Sequence, residues 1–161
     1  IPVCTYITEK ANISGNGKGH SGWFELSHAN IYYDHPVHAA MDHALMIDFV
    51  NEAKGPSARV AVELSPESAD GLRKIFSQAA HADLSEKLPI IGSGKGPRGW
   101  FYLDLATMHT SESSKSSAGR SLVIEFLNQK ADNADSLSVE INAPGAGDIA
   151  EKIKAALEAP L

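Results

Sequence analysis

Leu45, Ile47 and Phe49 alternate with Met46 and Asp48, and Val60, Val62 and Leu64 alternate with Ala61 and Glu63. A period of two with one apolar face predicts strands near 43–50 and 59–64. Upstream, Thr5, Tyr6, Ile7 and Thr8 favour a strand over about Val3–Ser14, and a second runs from Trp23 to about Tyr33. The period then changes. Ser65-Pro66-Glu67-Ser68 combines a serine N-cap, a proline at the first helical position and an acid in the first turn. Leu72, Ile75, Phe76, Ala79 and Ala80 follow at helical spacing through about His81.

The whole series returns 77 positions later without a gap. Leu122/Ile124/Phe126 and Leu137/Val139/Ile141 repeat the two alternating runs, and Ile149, Ile153, Ala156 and Leu157 repeat a helix near 147–159. Twenty-two of the 77 aligned pairs are identical, where unrelated segments of ordinary composition give about 5. The chain therefore divides into a first repeat, 1–84, and a second, 85–161. The expected fold is α+β: two tandem ββββα repeats forming a pseudo-twofold dimer of antiparallel sheets, each backed by a helix. Their free edges invite the sheets to join, and offer a route to homo-oligomers.

The duplication acts as an internal alignment: what both copies keep serves the fold, and what one copy alone has is a candidate for function. Gly17-Lys18-Gly19-His20-Ser21-Gly22 and its counterpart Gly94–Gly99 both satisfy G-x-G-x-x-G. A dinucleotide loop needs a helix after it, whereas Trp23-Phe24 and Trp100-Phe101 open alternating strands. The motif reads as a hairpin turn within a chain-reversing segment 15–22. Trp23 and Trp100 read as paired core or inter-lobe anchors.

Composition adds exclusions. The net charge of −6 offers nucleic acid no basic surface, and no stretch of about 20 apolar residues suits a bilayer. A single cysteine, Cys4, allows no intrachain disulfide and suits a reducing cytoplasm. The chain starts at Ile1, which leaves room for an upstream segment.

The contrast between copies falls on one loop. Tyr33-Asp34-His35-Pro36-Val37-His38-Ala39-Ala40-Met41-Asp42-His43 holds three histidines where the second copy has Glu112, Lys115 and Arg120. His35, His38 and His43 would together form an open three-imidazole metal site with water as a fourth ligand. Zinc suits it, and iron, copper, nickel and cobalt also accept imidazole. His43, in phase with Leu45 and Ile47, points towards the packed face. Asp34 and Asp42 would orient an imidazole or replace one, and Tyr33 or Tyr32 would donate a hydrogen bond to a ligand. Cys4 would serve as a soft extra ligand or a small buried residue. Asp48/Glu125 and Glu63/Glu140 keep an acid in both copies, which argues for structure; Glu63 and Asp48 are also candidate substrate-facing acids.

Val3-Cys4-Thr5-Tyr6-Ile7-Thr8-Glu9-Lys10, Tyr33-Asp34-His35-Pro36-Val37-His38, Ile47-Asp48-Phe49-Val50-Asn51-Glu52 and Arg59-Val60-Ala61-Val62-Glu63-Leu64 resemble a family of small bacterial proteins one repeat long. That family is catalogued as a domain of unknown function. The resemblance covers about residues 3–81; the second copy shares the glycine motif and last two strands. It implies a stable small domain and names no activity. The residues themselves favour a small metal-dependent enzyme, a hydrolase, lyase or isomerase, acting as a Lewis acid on a small organic substrate. The rival expectation is a non-catalytic pseudo-dimeric module that binds a small ligand or a protein.

Overall fold

A computed structural model describes residues 8–19, 22–34, 44–54, 59–96, 99–112, 120–130 and 136–158. The elements run β1 (Glu9–Gly19), β2 (Gly22–Asp34), β3 (Ala44–Val50), β4 (Arg59–Leu64), α1 (Pro66–Ala79), β5 (Ser85–Gly96), β6 (Gly99–Glu112), β7 (Arg120–Leu127), β8 (Ser136–Asn142) and α2 (Ala143–Glu158). A single 3-10 turn, Glu52–Lys54, follows β3. The order of elements within each repeat is the one the periodicity predicts.

The expected pair of open sheets is not what forms. The eight strands close into one antiparallel barrel in sequence order. Two separate sheets would leave four edges with unpaired N–H and C=O groups, and closure removes them all. The first repeat joins the second at β4–β5, where Val62 faces Gly94, Glu63 faces Ser93 and Leu64 faces Gly92. The ring closes at β8–β1, where Val139 faces Gly17, Glu140 faces Asn16 and Ile141 faces Gly15. These two sets of pairs are one set displaced by 77 positions, so the seams are related by the pseudo-twofold axis.

Glycine makes the seams close enough. A Cβ on Gly15 would fall on the carbonyl oxygen of Glu140, and one on Gly92 on the carbonyl oxygen of Glu63. The glycines of segments 15–22 and 92–99 therefore do two jobs. Gly22 and Gly99 take φ values of 107° and 110° at the hairpin reversals, as the turn reading requires. Gly15 to Gly19 belong to a strand instead of the predicted turn segment.

A register shift interrupts β1 between Asn12 and Gly15, and β5 between Pro89 and Gly92. Bulged N–H groups lose their ladder partners and need others. Ser14 N donates to Asn142 Oδ1 at 2.9 Å, and Ile91 N donates to Ser68 Oγ at 2.9 Å. Each acceptor sits at the start of the opposite repeat's helix, so the bulges fasten the two repeats together.

Inward pairs Leu45–Leu64, Ile47–Val62 and Phe49–Val60 on β3–β4 form one core with Leu72 and Phe76 of α1 and Ile149 and Ile153 of α2. The helices follow β4 and β8 and pack on each other at the barrel end where the even-numbered strands finish. They thus share one core instead of backing separate sheets. Ser65 caps α1 as predicted, accepting from Ser68 N, with Pro66 in the first turn.

Candidate functional site

The last described pair of the β2–β3 ladder is Asp34–Ala44, at the helix-bearing end of the barrel. His35, His38, Asp42 and His43 lie outside the described residues, as do Cys4 and the side chain of Asp34. Among the described residues, no group of three His, Cys, Asp or Glu side chains stands ready for a metal. The second repeat shows what occupies the equivalent ladder. There the described β6–β7 ladder reaches Glu112, which stands opposite Arg120. Those two positions are the counterparts of His35 and His43.

Tyr33 and Glu63, two described members of the candidate set, do not meet. Tyr33 pairs with Leu45, which pairs with Leu64, so all three share the inward face. Tyr33 is accordingly part of the buried core. Glu63 pairs with Met46, and Met46 with Tyr32, on the outward face. It is nevertheless fully buried. Period-two geometry separates neighbours such as Tyr32 and Tyr33 across the barrel wall.

Burial, and secondarily the negative charge of Glu67 on α1, pushes the Tyr33 phenol above its usual ionisation range. A raised folded-state value favours the protonated form. Its contribution to stability is complete below the unfolded tyrosine value of about 10 and is lost as pH rises through the folded one. A phenolate absorbance titration is therefore expected to show a tyrosine that ionises late, and Tyr33→Phe to remove that component. An unchanged curve in the variant would refute the assignment.

On the outward face, Tyr32 Oη donates to Asp48 Oδ2 at 3.2 Å and Arg59 Nη2 donates to Asp48 Oδ1 at 3.0 Å. Asp48 thus links β2 and β4 through side-chain bonds. The second copy has His109, Glu125 and Ser136 at the three positions, so the partners are peculiar to the first. The tryptophans are not core anchors. Trp23 is 48% exposed and Trp100 half-buried, each in the outward row beside Lys18 or Lys95.

One polar group escaped the sequence reading. His28 is buried at 4% exposure, with Ser27 Oγ 3.0 Å from Nδ1 and Glu52 Oε1 3.4 Å from Nε2. Its counterpart is Leu105. The signal was present: this too is a histidine that one copy has and the other lacks.

A family model matches residues 3–87 and again residues 82–160. The chain belongs to this family, the family of unknown function DUF6295. Two successive matches make the chain a tandem duplication of the family's domain. No curated protein matches the chain. Among solved structures it is similar to the solution structure of outer surface protein E, at 13% identity and a TM-score of 0.49, over 94% of this chain and 85% of that one. No helix among the described residues is long and apolar enough to cross a membrane.

Proposed function

We propose that the protein is a metal-dependent enzyme, a hydrolase, lyase or isomerase acting on a small organic substrate, with one divalent transition metal held by His35, His38 and His43. The observation that carries this reading is the pairing of Glu112 with Arg120 across β6–β7. Directly opposed antiparallel positions have Cβ atoms about 4.5–5.5 Å apart, a separation that lets two imidazoles share one ion. By the 77-position repeat, His35 and His43 are the sequence counterparts of those two residues. They are also the next residues beyond the last described pair, Asp34–Ala44. His38 is in the intervening segment, tethered at both ends beside that pair.

The ligand set fits zinc, with iron, copper, nickel or cobalt as alternatives. The bound metal would supply Lewis acidity and bring the pKa of a coordinated water towards neutrality. Tyr33 is on the inward face two residues before His35 and keeps its proton, so it suits donation to a substrate oxygen. Asp34 and Asp42 are placed in sequence to orient imidazoles. Glu63, on the opposite face of the wall, suits support of the barrel better than this chemistry.

Elemental analysis of tag-free protein tests the reading. One equivalent of metal per chain is expected, falling by at least about tenfold in His35→Ala and in His43→Ala, because each removes one of three ligands. Substoichiometric metal that neither substitution changes would end the proposal.

A further inference from the structure

We propose that Ser27 is a nucleophilic serine that accepts acyl groups from activated esters, with His28 as its base and Glu52 as the residue that positions His28. The contacts form an ordered chain. Ser27 Oγ is 3.0 Å from His28 Nδ1, and His28 Nε2 is 3.4 Å from Glu52 Oε1. Nucleophile and base within hydrogen-bond reach, with the base oriented by a third group, is the arrangement that activates a hydroxyl. A carboxylate at Nε2 favours the tautomer with its proton there. Nδ1 then carries the lone pair and accepts from the Ser27 hydroxyl.

Exposure is divided as the chemistry needs. Ser27 is exposed, so an ester can reach it, while His28 is buried in the wall and its ring is fixed. Glu52 is solvent-facing on the 3-10 turn after β3, with Lys10 Nζ 3.8 Å from its Oε1. The Glu52 backbone N–H also donates to Ser27 Oγ at 3.2 Å, which stabilises charge on that oxygen as its proton leaves. The Ser27 hydroxyl has a second acceptor within reach, Val50 O at 3.1 Å.

The duplication separates this chain of contacts from the fold. The second repeat has Asp104, Leu105 and Gln129 at the three places. Asp104 Oδ1 still accepts from Gln129 N at 2.9 Å, as Ser27 Oγ does from Glu52 N. The turn-closing bond is therefore structural, and a carboxylate performs it equally well. The Ser27 hydroxyl, the imidazole and the Glu52 carboxylate occur only in the first repeat.

In the reaction, Ser27 Oγ attacks the acyl carbonyl carbon and its proton passes to His28 Nδ1. The carbon–oxygen bond to the leaving alcohol breaks, and that oxygen takes the proton from His28. Water then gives a proton to His28 as it attacks the acyl-serine; the bond to Oγ breaks, Oγ regains the proton, and a carboxylic acid leaves. The substrate class is an acyl donor with a good leaving group, such as an aryl ester.

The test is p-nitrophenyl acetate with full-length protein, followed by nitrophenolate release and peptide mapping. One acetyl group on Ser27 is expected, absent in Ser27→Ala. His28→Leu installs the residue the second repeat carries at the equivalent strand position, and circular dichroism checks that the variant folds. Acylation of Ser27 should fall about a hundredfold in that variant. Glu52→Ala should slow it and Glu52→Gln, which keeps an acceptor oxygen, should restore it. Acetyl groups confined to lysines or the amino terminus, or an equal rate at Ser27 in a folded His28→Leu, would overturn the proposal.

Discussion

Replacing Gly92 by alanine is expected to destabilise the barrel by about 3 kcal/mol, at the upper end for an overpacked site. The new methyl group meets backbone, not a side chain that can rotate away: it falls on the carbonyl oxygen of Glu63 across the β4–β5 seam, with Leu64 Cδ2 at 3.0 Å. Gly15→Ala should behave alike, because its methyl falls on the Glu140 carbonyl at the β8–β1 seam. Gly71→Ala is the control. That methyl would meet the tip of Leu88 at 3.1 Å, and alanine gains about 1 kcal/mol over glycine within a helix. Urea unfolding with unchanged slope gives the three values. Equal stability of the Gly92 and Gly71 variants would show that the seam yields without strain.

Much of this structure was legible in the sequence, and the parts that were not share a cause. Alternation at Leu45/Ile47/Phe49 and Val60/Val62/Leu64 marked strands, and Ser65-Pro66-Glu67 marked a helix start, because both signals are local. Closure is not local. Whether Gly92 meets Glu63 or faces solvent depends on a strand residue 29 positions earlier in the chain. The hydrophobic pattern of an open sheet and that of a filled barrel are the same along any one strand. The same limit governed the site. Histidines in one short loop draw attention, whereas the pairing of His28 with Glu52, 24 positions away, exists only once folding sets the two side by side. Tyr33 and Glu63 are both candidates for contact with a ligand in the sequence, and register places them on opposite faces of the wall.

Cutting the chain between Leu84 and Ser85 should convert folding into an association reaction. Each half would carry four strands with both edges open, and isolated edges of that kind seek partners. The two seams have the same register, so residues 1–84 can in principle pair with themselves, Gly15 against Leu64 as Gly15 now faces Ile141. The unfolding midpoint of either half would then rise with protein concentration. The helices, however, favour unlike halves. Gly147 of α2 lies against Ala80, where even a Cβ would come to 3.2 Å. The counterpart of Gly147 in the first repeat is Asp70, so a dimer of first repeats would press a carboxylate on Ala80. In the intact chain Asp70 instead pairs with Arg73 at 2.8 Å, which holds its carboxyl below the usual range. Mixing 1–84 with 85–161 should therefore give the heterodimer in preference to either homodimer, by about tenfold or more in affinity, equivalent to about 1.4 kcal/mol. Native mass spectrometry of the mixture distinguishes the species. A folded, monomeric half would show that four strands and one helix suffice as a domain. Statistical mixing would show that the helix contact carries no preference, and that the halves have not diverged in the surface by which they recognise each other.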